Sequence, residues 1–467
     1  MAAQGAYIVV DIGKTNSKVT LWSRAGELLD RKTRPNDTPV SETIRRLDVD
    51  GIAEWIVQAL SGFSGHPIEA IVPVAHGAGM AALRDGDLCI EPLDYEQSLP
   101  ADVLDAYRQQ RDPFAQTGSP ALPGGLNAGA QLYWLEQLDA QAINQATFLP
   151  WAQYWAWFLS GRAVTEVTSL GCHSDLWNPI AGDYSRMAKR KGWDRRFAPV
   201  VQASDGIGTI RPDLAAATKL PAETCVLAGL HDSNAALLAA RGFPEIADNE
   251  ATVLSTGTWF IAMRLTGKRL HPADLPEERD CLVNVDTFGR PVPSARFMGG
   301  REIETLIEID TRQIDIRPDQ PALLNATHAV LANGAMVLPT LAPGCGPFPA
   351  HRHRWINRPS EWFERRAAAS LYAALMTDVS LELIGSRECL LVEGRFAEAE
   401  VFVRSLASLR PDTRVYTAIA HNDVSFGALR LIDPSLSPDC ELRLVEPLEF
   451  DLDRYRERWR AEMENCQ

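Results

Sequence analysis

The chain predicts an α/β protein built from two similar domains, and three observations carry that expectation. Its 467 residues exceed what one core usually fills, which points to two domains of about 200 residues each. Two polar turns, Val9-Val10-Asp11-Ile12-Gly13-Lys14-Thr15-Asn16-Ser17-Lys18-Val19 and Val253-Leu254-Ser255-Thr256-Gly257-Thr258-Trp259, each follow an apolar, β-branched stretch. Strand, helix and strand then succeed one another in the first hundred residues, the pattern of a parallel crossover.

Taken in order, Tyr7-Ile8-Val9-Val10, Lys18-Val19-Thr20-Leu21-Trp22 and Glu27-Leu28-Leu29 read as a three-stranded meander, the last strand lying beyond the Arg24-Ala25-Gly26 turn. Ile52, Ile56, Ala59 and Leu60 share one helical face, and Ile68-Glu69-Ala70-Ile71-Val72-Pro73-Val74 reads as a buried strand. Leu132, Leu135 and Leu138, three apart, predict a helix over 127–138. An alanine-rich helix follows over 232–240, with Asp232, Ser233 and Asn234 in its first turn. After Arg241-Gly242-Phe243-Pro244 the pattern restarts with strand-like residues 251–263, which sets the expected domains at 1–244 and 245–467. The second half continues with a long helix over 360–384 and the strand Cys389-Leu390-Leu391-Val392 running into Glu393-Gly394. A last unit runs around Val415 and from His421 to Ile432.

Composition narrows the function classes. A hydrophobic fraction of 46% and a charged fraction of 23% belong to an ordinary globular protein. The net charge of −15 disfavours nucleic acid and anionic membrane surfaces as partners. No helix-turn-helix candidate precedes the first strand, against a DNA-binding repressor. No apolar run approaches the ~18 residues that span a bilayer. The opening Met-Ala-Ala-Gln-Gly has no signal-peptide character, so a cytoplasmic protein is expected. Eight cysteines without CxxC spacing argue against a zinc ribbon or redox pair and read as reduced thiols.

The two turns carry phosphate chemistry. Glycine lets a backbone approach a phosphate closely, and Thr15, Ser255, Thr256 and Thr258 add hydroxyl donors. Their duplication suggests one nucleotide gripped between two lobes, with Asp11 on its magnesium ion. A third element, Ala228-Gly229-Leu230-His231-Asp232-Ser233-Asn234-Ala235-Ala236, sets an acidic residue at a helix start. Asp232 reads there either as an N-cap or as the general base that takes a proton from an alcohol.

These segments, in this order and spacing, resemble those of the FGGY carbohydrate kinases. Between them Phe114-Ala115-Gln116-Thr117-Gly118, the helix with Leu132-Tyr133-Trp134-Leu135, the helix ending in Leu159-Ser160-Gly161 and the Thr165-Glu166-Val167-Thr168-Ser169 stretch are similar to further family landmarks, as is Phe426-Gly427-Ala428-Leu429 near the end. The resemblance implies an actin-like ATPase fold: two RNase H-like domains, each a mixed five-stranded sheet flanked by helices, with ATP and Mg2+ in the cleft between them. It implies Asp232 as catalytic base, Asp11 and Asp232 at the metal, and Gly13, Thr15, Asn16, Lys18, Ser255, Thr256, Gly257 and Thr258 around the phosphates. His231-Asp232-Ser233 and Thr256-Gly257-Thr258-Trp259 are similar to the rhamnulokinase and fuculokinase forms, which favours an L-series deoxyketose. The expected sugar-binding residues are His76, Gly77, Gln153, Tyr154, Trp155, His231 and Asp232, aromatic faces covering C–H groups while amide and imidazole meet hydroxyls. Trp155 and its neighbours read equally as packed helix residues.

Departures from the family pattern matter too. The glycine-rich adenosine loop reads Glu393-Gly394-Arg395-Phe396-Ala397, so Gly394, Arg395 and Phe396 either contact the nucleotide or block its pocket. The run His351-Arg352-His353-Arg354 reads as a solvated basic loop or as a reach toward an anion. A xylulose- or ribulose-type kinase, a non-catalytic sugar binder of the same fold and an actin- or heat-shock-type ATPase are the competing functions. A homodimer is one assembly open to the chain.

Overall fold

The computed structural model describes residues 5–37, 40–41, 44–247, 249–268, 270–311, 313–418 and 424–464. His421 of the expected last unit lies outside the described residues, as does Cys466. Within them the chain builds two large mixed sheets, each of seven strands.

The predicted meander is present as strands Ala6–Ile12, Asn16–Ser23 and Leu28–Pro35, paired antiparallel in that order. Helix Val49–Ser61 follows, started by Asp48, whose carboxylate accepts from the Gly51 N–H. It buries the predicted face of Ile52, Ile56, Ala59 and Leu60, each large side chain contributing about 1.5–3 kcal/mol. The chain then returns as strand Ile68–Ala75, parallel to the first. Cys225–Leu227 and Leu230–His231 continue one strand line beside it, interrupted at Gly229, whose φ is +74°. A Cβ there would stand 2.0 Å from the Pro73 carbonyl oxygen, so only glycine fits this close approach.

The second sheet repeats the order. Ala251–Thr256 pairs antiparallel with Phe260–Leu265 and parallel with Cys389–Gly394, with Pro291–Phe297 and Arg414–Ala418 outside them. Each sheet therefore holds the expected five-stranded arrangement but is wider than expected. Gly206–Thr209 extends the first sheet, whose strand line is also split at Gly229; Cys281–Val285 and Leu442–Leu444 extend the second. These antiparallel edge strands are only three to five residues long, and pieces so short carry no signal that separates them from loops.

Both faces of each sheet are covered, as near-continuous apolar strands require. In the first strand Ile8 and Val10 pack toward helices Val49–Ser61 and Trp151–Ser160, while Val9 packs to the opposite side with Leu238 and Phe426. Phe426 lies on helix Val424–Leu429, so a late segment of the chain closes the first sheet. Helix Trp362–Leu383 covers the second sheet. Helix Asp232–Ala240 is apolar around its circumference for a visible reason: Ala235, Leu238 and Ala239 meet the first sheet's cluster, whereas Leu237 and Ala240 meet a cluster with Val253, Met263 and Leu391 of the second. Its amino terminus thus opens between the two sheets. No helix of the described residues is long and apolar enough to cross a membrane.

Candidate active site

Parallel strands deliver their carboxyl ends to one side of a sheet, where loops can converge on a ligand. Ile12 pairs with Ala75, and Ala75 with His231, so the turn after the first strand, the His76-Gly77-Ala78 passage and Asp232 emerge side by side. In the second sheet Thr256 pairs with Gly394, bringing the other turn to the same level as the adenosine-loop segment.

The two turns close alike. Gly13 N–H donates to the Asn16 carbonyl at 3.1 Å, and Gly257 N–H to the Trp259 carbonyl at 3.0 Å. Asn36 braces the first, its Nδ2 donating to the Gly13 carbonyl at 2.8 Å. Helix Gly299–Ile307 begins against the second: a Cβ on Gly300 would lie 2.0 Å from the Gly257 carbonyl oxygen. Lys14, Thr15, Asp232, Thr258, Trp259 and Arg301 line one cleft of about 740 Å³.

Asp232 is the first residue of its helix, and its side chain is about a third exposed. Oδ1 accepts from Ser233 N–H at 2.5 Å and Ser233 Oγ at 3.2 Å, and lies 3.1 Å from His231 Nε2. Oδ2 has no protein partner among the described residues. The segment is braced from beneath: Thr168 Oγ1 accepts from His231 N–H at 3.0 Å and donates to Glu166 Oε2 at 2.5 Å. Burial pushes the Glu166 carboxyl up to about 7, against the bonds from Thr168 and Ser169 that favour its charge. Burial also lowers His231, and Asp232 opposes that shift. His76 is lowered as well, again chiefly by burial, and its Nδ1 meets the Gly77 carbonyl at 2.7 Å.

Charges around the cleft are mostly paired. Lys14 forms an ion pair with Asp94 and stands over the Tyr95 ring. Arg296 bonds Asp280 at 2.8 Å and stacks on Trp259 at 4.9 Å. Lys18 lies 3.5 Å from the buried Asp11. Arg301 has no side-chain partner among the described residues.

Several expected contacts are corrected. Gln153, Tyr154 and Trp155 do not form a sugar wall: all three are buried, Gln153 Nε2 donating to the Ala228 and Gly229 carbonyls and the two rings packing with Trp151. Their helix turns this face into the first sheet's core, and Trp151 alone approaches the cleft group, its ring 6.4 Å from His76. Phe396 is buried against Phe260, and Arg395 pairs with Glu304 at 3.2 Å, so neither ring nor guanidinium lines the cleft. The Thr256 hydroxyl donates to the Glu393 carbonyl and accepts from Phe396 N–H at 3.1 Å, making it a fastener beneath the turn. Ser255 is exposed, and His231 is buried behind Asp232. The basic run 351–354 is absent from the cleft lining; Arg354 meets Glu462 at 3.2 Å. Conversely Tyr95, His173, Arg296 and Arg301 line the cleft without having been expected there. The Gly299-Gly300 pair ahead of Arg301 was the one readable signal among these.

Two sheets of one repeated topology, with phosphate-type turns facing each other, define the class of actin-like ATPase folds. Plasmodium falciparum glycerol kinase with ADP superposes with a TM-score of 0.80 at 11% identity, covering 99% of this chain and 98% of that one. A carbohydrate kinase from Novosphingobium aromaticivorans is 65% identical, with 99% of both chains covered and a TM-score of 0.96. Residues 248–439 match the family model described as carbohydrate kinase FGGY, C-terminal domain. L-fuculokinase of Escherichia coli (strain K12) is 27% identical over 284 residues, 56% of this chain and 56% of that protein, so the chain spans about half the length of the curated relatives it matches. The chain belongs to the FGGY carbohydrate kinase family.

Proposed function

We propose that this protein is an ATP-dependent carbohydrate kinase that phosphorylates a hydroxyl of a small ketose, an L-series deoxyketose such as L-rhamnulose or L-fuculose being the preferred substrate. The observation that supports it most is the meeting of Asp232 with both turns around one cleft. The L-series preference draws on the fuculokinase relative and on the His231-Asp232-Ser233 and Thr256-Gly257-Thr258-Trp259 forms.

The donor set fits a magnesium triphosphate. Backbone N–H groups at two glycine turns, the Thr15 and Thr258 hydroxyls and the unpaired Arg301 would hold phosphate oxygens, and Asp232 would hold the metal; Asp11, the second expected ligand, is buried beside Lys18 and outside the cleft lining. When bound, ATP supplies the phosphoryl group and magnesium offsets its charge. The chain's own contribution centres on Asp232. With Oδ1 fixed by Ser233 and His231, Oδ2 is the oxygen that takes the hydroxyl proton as the substrate attacks. His231, kept neutral by burial, orients that carboxylate without competing for the proton. In this reading residues 1–244 carry the sugar, residues 245–467 the nucleotide, and the protein works in the cytoplasm.

The test is a panel of ketoses and polyols screened for ADP release from Mg·ATP. One or a few ketoses should raise release well above the sugar-free rate. No stimulation by any of them contradicts the kinase reading, and sugar binding without ADP release favours a non-catalytic binder.

A further inference from the structure

His173 lines the cleft on the sugar side, on a loop no sequence pattern marked. Its backbone φ is +37°, a conformation L-residues rarely adopt, and Ala78 (φ +57°) and Asp175 (φ +64°) share that strain nearby. Such conformations persist only where surroundings enforce them. Here Asn127 Nδ2 donates to the His173 carbonyl at 3.0 Å, and Asp175 is gripped by Tyr107 at 2.7 Å and by Arg111. The ring is fixed as well, its Nδ1 meeting the Leu126 carbonyl at 2.8 Å. A carbonyl only accepts, so Nδ1 carries the hydrogen and Nε2 is left as a lone-pair acceptor. His76 repeats the device: Nδ1 meets the Gly77 carbonyl, and Nε2 is again the acceptor.

We infer that His173, together with His76, reads substrate hydroxyls through two fixed Nε2 acceptors and so restricts the site to uncharged polyhydroxy compounds, excluding sugar acids. This rests on the carbohydrate-kinase reading of the same cleft. An acceptor pair rewards hydroxyl donors and offers a carboxylate nothing. The formal charges agree: Lys14 and Arg296 are matched by Asp94 and Asp280, Arg301 stands with the second phosphate turn, and the Asp232 carboxylate faces the cleft. Burial, with help from Arg296, pushes His173 down to about 3, so the ring stays neutral and cannot serve as a cation for an acid.

Calorimetry of wild type, His173→Phe and His173→Gln with L-rhamnulose, L-fuculose, D-xylulose, D-gluconate and D-xylonate tests this. Wild type should bind at least one ketose and bind the acids at least about 100-fold more weakly. His173→Phe should weaken the ketose about 10- to 100-fold, the effect of leaving a substrate hydroxyl unpaired, while Mg·ATP affinity is unchanged. His173→Gln, which keeps an acceptor near the Nε2 position, should restore most of the loss. In wild type the 15N resonance of His173 Nε2 should shift on ketose binding, a readout independent of any variant's folding. Equal affinity for acids, an unmoved Nε2 signal, or a correctly folded His173→Phe with unchanged ketose affinity overturns the inference. Ketose binding without ADP release would sink the kinase reading while leaving the His173 result to stand or fall separately; no binding of any ketose defeats both.

Discussion

Asp232 engages Oδ1 with Ser233 and His231 and leaves Oδ2 without a partner among the described residues, and under the proposed base role that division sets what substitution should do. Asp232→Asn keeps the Oδ1 contacts with Ser233 but removes the base, so kcat for the best ketose should fall by about 10²- to 10⁴-fold while ketose affinity and melting temperature hold. A variant within a few-fold of wild type would remove the base assignment. Thr256→Val probes the opposite kind of residue. Its hydroxyl is buried between the Glu393 carbonyl and Phe396 N–H, so the variant orphans a buried donor. Chemical denaturation should show a loss of about 1–3 kcal/mol. Asp232, Thr15 and Thr258 were legible in the sequence because glycine turns and helix starts leave local signatures. The inward turn of Gln153 and Trp155 was not, because an amide and an indole suit a core as well as a sugar wall. His173 was invisible, since its strained φ is enforced by Asn127, 46 residues away in sequence.

At the scale of elements, the meander, the first crossover and both glycine turns follow directly from apolar periodicity interrupted by turn residues. The extra edge strands and the late return of helix Val424–Leu429 to the first sheet depend on tertiary partners that no local window contains. The contact between Gly300 and Gly257 belongs to this scale too. Gly300→Ala should push the second turn out of place, raising KM for ATP at least about tenfold with ketose affinity unchanged; a normal KM would detach that helix from the phosphate site. The Glu166 brace makes a prediction in pH. Its folded value near 7 exceeds its unfolded value near 4.5, so the fold binds the extra proton between those limits. Its contribution is fully present below pH 4.5, falls by about 3 kcal/mol as pH rises to 7, and is constant above. Unfolding of Glu166→Gln should lack that component when compared with wild type at pH 5 and 8, and an identical pH dependence in the two proteins would contradict the assignment.

Across the whole molecule, helix Asp232–Ala240 is the shared wall: it packs on both sheets and begins at the cleft. Closure of the two lobes over bound ligands would exclude water from the transferring phosphoryl group. Small-angle scattering should show a smaller radius of gyration with ketose and a non-hydrolysable ATP analogue than with neither; an unchanged radius argues against closure. In the proposed reaction Asp232 and the two turns act on one phosphoryl group. The most direct measurement is 31P NMR of Mg·ATP with the best ketose and either wild type or Asp232→Asn. One new phosphomonoester per ADP should appear with wild type and almost none with the variant. Inorganic phosphate as the only product, or phosphomonoester from both proteins at similar rates, would contradict it.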